Sequence, residues 1–184
     1  MRKFFLLLAL AACTEAREQD VVAIAKQRNV AVYTEDNHGS GVLLECNGKR
    51  GTVLTVFHVL RIGEPIMVNG IKAKVLKTDH ERDLLLLTVP CDFELPSVPY
   101  GEVQQGDHIL YVGNILGVYG TLIFGRVARM DKDTLVVDAT TMPGASGSGV
   151  WNDNGQLVAV MNQAVEGDKG GHLGLAVYGV NDFK

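Results

Sequence analysis

From Asn29 onward the chain runs as about a dozen short apolar stretches separated by turn residues, with no credible long helix among them. Val30–Thr34, Gly41–Cys46 and Gly51–Val56 come first. The last two meet across Asn47-Gly48, a dipeptide suited to the positive φ angles of a two-residue hairpin turn. Pro65–Val68 and Ile71–Lys77 meet across a second such dipeptide, Asn69-Gly70, and Leu84–Val89 closes the first half. The Pro-containing stretch Pro90–Pro99 reads as a connection. The second half repeats the pattern in His108–Val112, Thr121–Met130, Thr134–Ala139, Gly149–Asn152, Gln156–Asn162 and Leu173–Tyr178. Short strands at this spacing predict an all-β barrel or sandwich, and the 21 glycines suit its tight turns.

A length of 184 residues suits one domain with a sizeable core, and 47% hydrophobic with 21% charged residues argues against disorder. The formal net charge of -4 leaves no basic patch to argue for nucleic acid as a partner. No internal repeat or low-complexity segment is present.

Three segments carry chemistry. Pro143-Gly144-Ala145-Ser146-Gly147-Ser148-Gly149 places a serine among small residues just before an apolar run. Little bulk there keeps backbone N–H groups from turning inward, as an acyl-transfer nucleophile needs for its developing oxyanion. Taken alone, such a run is more often a turn or linker. Upstream, Leu54-Thr55-Val56-Phe57-His58-Val59 offers a base, and Glu81-Arg82-Asp83-Leu84-Leu85-Leu86-Leu87 an orienting carboxylate. Together they give the chain order His, Asp, Ser. By itself His58 would read as a half-buried histidine on a turn. Asp79, four residues before Asp83, and Ser148, two after Ser146, are local rivals. His38, His80, His108 and His172 show no metal-ligand spacing, so no metal site is expected.

These segments resemble the trypsin-like (chymotrypsin-fold) serine peptidases, and most closely the bacterial Deg/HtrA-type branch. Gly39-Ser40-Gly41-Val42-Leu43-Leu44 is similar to its GSG-aliphatic strand, with Ser40 most simply a strand-entry residue. Leu54–Val59 is similar to its LT-x-x-HV motif, Asp83–Leu87 to DLALL, and Pro143–Ser148 to PGNSGG. The resemblance implies two antiparallel β-barrels, lobes at about 29–89 and 100–184, with the active site in the cleft between them. It assigns His58 as general base, Asp83 as orienting carboxylate and Ser146 as nucleophile, passing over Asp79 and Ser148. The amides of Gly144 and Ser146 would form the oxyanion hole. Ser148 departs from the family's commoner glycine and would add a side chain near that hole. The primary pocket would be walled by Thr140 and Thr141, by Asn162, Gln163 and Ala164, and by Gly174, with His172 at its border. No mapped position carries a carboxylate, so small or medium apolar side chains are expected in it. The implied activity is that of a serine endopeptidase acting on proteins or peptides without cofactor. The competing reading is an inactive peptide-binding envelope protein of the same fold. With the sequence ending at Lys184, no peptide-binding PDZ module is expected.

The first residues read differently. Met1-Arg2-Lys3 is basic and Phe4–Ala12 is apolar, too short for a spanning helix but suited to an export signal over residues 1–12. Leu10-Ala11-Ala12-Cys13 resembles a bacterial lipobox, which would put a lipid on Cys13 and anchor the protein in the cell envelope facing the periplasm. Ordinary cleavage near Ala11 or Ala16, to a secreted or soluble periplasmic protein, is one alternative, and an uncleaved anchor is another. Residues 13–28 read as a tether or short amphipathic helix. Export would allow Cys46 and Cys91 to bridge, but each ends an apolar run where a lone cysteine is commonly a small buried hydrophobe. The sequence does not commit to the bridge.

Overall fold

The computed structural model describes residues 20–166 and 172–183. The proposed leader and Cys13 therefore lie outside the described residues. A helix over residues 20–28, α1, opens the described chain, so the short-helix reading applies from residue 20. Val21 and Ala25, four apart and on one face, are buried, and Arg28 at its end is buried as well. The Arg28 guanidinium donates to the carbonyls of Leu43, Leu44 and Pro96 at 3.1, 2.8 and 3.0 Å. Burial lowers its pKa from the ordinary value.

The first lobe comprises β1 (Asn29–Tyr33), β2 (His38–Asn47), β3 (Arg50–Val56), β4 (Met67–Val68), β5 (Ile71–Lys72), β6 (Lys74–Asp79) and β7 (Leu84–Pro90). A short β8 (Glu94–Leu95) in the connecting stretch pairs with β2. Their order is β5-β4-β1-β2-β3-β7-β6, a curled sheet whose outermost strands are short or mostly exposed. The second lobe is a closed ring, β10-β11-β14-β13-β12-β9. Its strands are β9 (His108–Ile115), β10 (Val118–Met130), β11 (Thr134–Asp138), β12 (Gly149–Asn152), β13 (Leu157–Glu166) and β14 (His172–Tyr178). The all-β, two-lobed architecture is as predicted, with the first lobe less closed than a full barrel. The larger hydrophobic cluster crosses the boundary. Val42, Leu54 and Leu85 of the first lobe share it with Leu110, Trp151 and Leu157 of the second.

Two local details differ from the sequence reading. The run Ile71–Lys77 breaks at Ala73 into β5 and β6, because the buried Ala73 turns its amide to the Ile66 carbonyl. Cys46 and Cys91 are joined in a disulfide with their Cα atoms 6.2 Å apart. The ladder settles what spacing could not. Gly51 of β3 faces both Cys46 of β2 and Val89 of β7, and Cys91 lies just beyond Val89.

Candidate active site

Antiparallel pairing of β3 with β7 runs to Val56↔Leu84, so the residues just beyond, Phe57 and Asp83, stand opposite one another. The Phe57 amide donates to the Asp83 carbonyl at 3.0 Å. A single 3-10 turn, Phe57–Val59, then swings His58 over the aspartate. Asp83 holds a left-handed φ of 56°, unusual for a residue other than glycine, and this turns its carboxylate back toward that turn. Its Oδ1 accepts the His58 amide at 2.8 Å and its Oδ2 lies 2.6 Å from His58 Nδ1. A carboxylate only accepts, so Nδ1 carries the proton and a neutral ring keeps its lone pair at Nε2. The His58 side chain is 46% exposed and that of Asp83 24%, which leaves the imidazole open to solvent above a more sheltered acid.

Asp79, the rival carboxylate, is engaged elsewhere. It accepts from the amides of Glu81 and Arg82 and pairs with the Arg82 guanidinium at 2.8 Å. The Arg82 amide, then its side chain, hold the Asp79 carboxyl below the ordinary range.

The segment from Pro143 to Ser148 is shaped by where its carbonyls go. Pro143 O accepts from the Leu116 amide at 2.9 Å, Gly144 O from Ser40 Oγ at 2.7 Å, Ala145 O from the Ser148 amide at 2.9 Å, and Ser146 O from the Ser40 amide at 2.7 Å. Every carbonyl from 143 to 146 is thus held by the protein. A planar trans peptide points its N–H opposite to its C=O, so the amides of Gly144 and Ser146 point away from those partners. Neither amide has an acceptor among the described residues. The path needs left-handed φ at Gly144 (95°) and Gly147 (88°), and a Cβ at Gly147 would collide with the Ser40 carbonyl oxygen.

The Ser146 hydroxyl donates to the Asn162 carbonyl at 2.9 Å, and no described hydrogen bond joins it to His58. Both segments nevertheless converge on Gly39. A Cβ there would lie 2.8 Å from Ser146 O and 2.9 Å from the side chain of Val59, the neighbour of His58. Asn162 sits at a register shift of β13 between Met161 and Gln163. A bulge of this kind takes a residue out of the ladder, which leaves its carbonyl for the serine.

The other expected residues are divided. Thr141 is buried, and a Cβ at Gly174 would lie 2.6 Å from its Oγ1, so these two lie side by side. Thr140 and Gln163 are exposed, and the Thr140 carbonyl accepts from the Tyr111 hydroxyl. Ala164 pairs with Gly174 through the backbone of β14. The side chains of Ala164 and His172 lie outside the described ones. Ser148 is wholly buried, its Oγ 2.5 Å from where a Cβ on Gly113 would stand. The expectation that its side chain stands near the oxyanion site is therefore corrected: Ser148, just before β12, is held by its amide to Ala145 O and its carbonyl to the Met161 amide, and its side chain packs inward against Gly113 of β9. A cavity of about 580 Å³ is bounded in part by Tyr33, His38, Gly39, Leu116 and Pro143. Sequence reasoning passed over Asn114, which is buried and joins the lobes by donating to Val30 O at 2.9 Å and accepting from Asn29 Nδ2 at 3.0 Å. No motif marks it.

Residues 39–160 match the family model of the trypsin-like peptidase domain, and the chain belongs to that family. Among curated relatives it is 28% identical over 156 residues to a probable periplasmic serine protease do/HhoA-like of Haemophilus influenzae, covering 75% of this chain and 33% of that protein. It is 28% identical over 154 residues to the periplasmic pH-dependent serine endoprotease DegQ of Escherichia coli, covering 74% and 33%. The chain thus spans about a third of the length of these relatives. Of solved structures, the serine endoprotease from Yersinia pestis matches with a TM-score of 0.78 at 26% identity, over 90% of this chain and 64% of that one. An inactive mutant form of a Mycobacterium tuberculosis protein matches with a TM-score of 0.76 at 19% identity over 89% and 86%, a likeness of fold alone.

Proposed function

We propose that this protein is a serine endopeptidase that hydrolyses peptide bonds through an acyl-enzyme on Ser146. The observation that carries the reading is the two-point hold of Asp83 on His58, at the backbone amide and at Nδ1, beside a loop with two unengaged amides. In this reading the Ser146 hydroxyl leaves Asn162 by rotating about its Cα–Cβ bond and donates to His58 Nε2. The imidazole takes its proton as the oxygen attacks the scissile carbonyl. Asp83 holds the tautomer and stabilises the imidazolium. The amides of Gly144 and Ser146 take the oxyanion, His58 then protonates the leaving amine, and water hydrolyses the ester by the same steps in reverse. Vacated by the serine, the Asn162 carbonyl is free to pair with an extended substrate backbone. Thr141 and Gly174 form the floor of a small, uncharged pocket for the substrate side chain, with Thr140, Gln163 and Ala164 around it. No residue role in this scheme calls for a cofactor.

The serine's bond to Asn162, rather than to the imidazole, is what favours the second reading, a peptide-binding protein of this fold without turnover. A fluorophosphonate probe separates the two. Labelling of the wild type but not of Ser146→Ala, with labelling strongly slowed in His58→Ala, is the expected result. Folded wild type that stays unlabelled and leaves a denatured protein substrate uncut would establish the binder instead. The periplasmic relatives support export to the periplasm, with the leader at residues 1–12 and a lipid on Cys13 as the finer form of that proposal.

A further inference from the structure

Directly behind the nucleophile loop, a buried serine of the first lobe uses all of its polar atoms. Ser40 is fully buried in β2. Its amide donates to Ser146 O at 2.7 Å, and its carbonyl accepts from Thr55 Oγ1 at 2.7 Å. Its hydroxyl meets two groups, the Asn114 amide at 2.8 Å and the Gly144 carbonyl at 2.7 Å. An amide can only donate, so the hydroxyl accepts from Asn114 and its single proton is committed to Gly144. Thr55, also fully buried, stands three residues before His58 on β3. One short relay therefore runs from the strand that leads into the histidine's turn, through the Thr55 hydroxyl and Ser40, to the two loop carbonyls on either side of Ala145.

We infer that Ser40, braced by Thr55, is a positioning residue that sets the nucleophile loop of the second lobe in register with His58 of the first. The inference rests on the peptidase reading. The hydroxyl proton holds the Gly144 carbonyl inward, and the next peptide, whose N–H is that of Ser146, takes its orientation from that fixed point. Without the Ser40 hydroxyl, the Gly144 carbonyl and the Asn114 amide both lose a buried partner, and the loop turns to recover one. Catalysis suffers because the two oxyanion donors, the amides of Gly144 and Ser146, sit on the peptides either side of the one that carries the Gly144 carbonyl. Substrate binding does not, because the pocket walls and the Asn162 carbonyl lie on other segments. Neither side chain touches the His58–Asp83 pair, so the pH profile keeps its shape.

Ser40→Ala, Thr55→Val and Thr55→Ser test this, with steady-state hydrolysis of a fluorogenic peptide substrate, fluorophosphonate labelling and thermal unfolding measured on each. The expected outcome for Ser40→Ala is a kcat lower by roughly 10- to 100-fold, a fraction of the loss of a whole oxyanion donor, with KM within about twofold and labelling slowed in step. Thr55→Val, isosteric but without the hydroxyl, gives a smaller loss of kcat, and Thr55→Ser restores it. A purely structural role predicts a lower unfolding temperature at unchanged kcat. Folded Ser40→Ala and Thr55→Val with wild-type kcat, or with losses in KM alone, would overturn the inference. Should Ser40→Ala fail to fold, the Thr55 pair decides by rescue or its absence. Wild type that neither labels nor cleaves overturns the peptidase reading and this inference with it. Wild type that labels no faster than folded Ser40→Ala overturns this inference alone.

Discussion

At Asp83 a strained backbone and a charged side chain serve one geometry. The left-handed φ lets a single carboxylate reach both the amide and the ring of His58. Asparagine adopts that backbone at least as readily as aspartate, so Asp83→Asn keeps the turn and removes the charge. Its amide nitrogen at the Oδ2 position would favour the imidazole tautomer with the proton on Nε2, the wrong one for a base. In the proposed mechanism kcat falls by roughly 10³- to 10⁴-fold, read from initial rates, while the unfolding temperature changes little. Ser148 shows the opposite economy. It is fully buried, and its hydroxyl has no hydrogen-bond partner among the described residues. Ser40 lies between these cases. Its sequence context, a serine between glycines at a strand entry, gives no hint of the four buried bonds it makes.

Among the elements, β2, β3 and β7 form the rigid part of the first lobe, and the disulfide fastens their far end. Cys46, next to last in β2, pairs with Gly51, and Cys91 follows the last residue of β7. The bridge closes a loop of 45 residues in sequence, which by chain entropy contributes about 4 kcal/mol against unfolding. Reduction, or the paired Cys46→Ala and Cys91→Ala change, should lower the denaturant midpoint accordingly. Labelling of Ser146 should persist below the new midpoint, because the bridge lies at the opposite end of β3 from His58. The turn between β6 and β7 is held differently, by Asp79 accepting two amides and the Arg82 side chain, while Arg82 also reaches Asp182 at 2.8 Å. The Asp79 carboxyl is depressed in the folded state, so its contribution is complete above the ordinary carboxylate range near pH 4. It is lost as pH falls through the lower folded value. Urea midpoints measured from pH 6 down to pH 2 should fall less steeply for Asp79→Asn than for the wild type.

For the molecule as a whole, the shared core across the two lobes makes their relative placement a property of the fold rather than of a flexible link. Trp151 and Leu110 of the ring pack in the same cluster as Leu54 and Leu85, and Asn114 and Ser40 supply the polar part of that contact. The proposed anchor belongs to this scale too, since it would tether the site at the membrane. Expressed with residues 1–12 in a bacterial host and extracted from membranes, the protein should have a mass lacking those residues and carrying a diacylglyceryl group. An unmodified Cys13 would remove the anchor from the proposal.

The sequence by itself determined the strand-and-turn rhythm, the all-β class and the order of His58, Asp83 and Ser146, because alternation, hairpin dipeptides and motif spacing are local properties. The preference for Asp83 over Asp79 came from the family resemblance, which places the carboxylate directly before an aliphatic run, and it is Asp83 that lies against the His58 ring. What only the tertiary structure decided lies in contacts across many residues. The ladder brings Cys46 to Cys91, the bulge at Asn162 gives Ser146 its acceptor, and backbone bonds to Ala145 and Met161 hold Ser148 with its side chain buried. Ser40 becomes a junction between the lobes, bonded to a loop more than a hundred residues away along the chain. Hydrogen bonds of that kind depend on register and on which lobe faces which, and no local pattern of residue types encodes either.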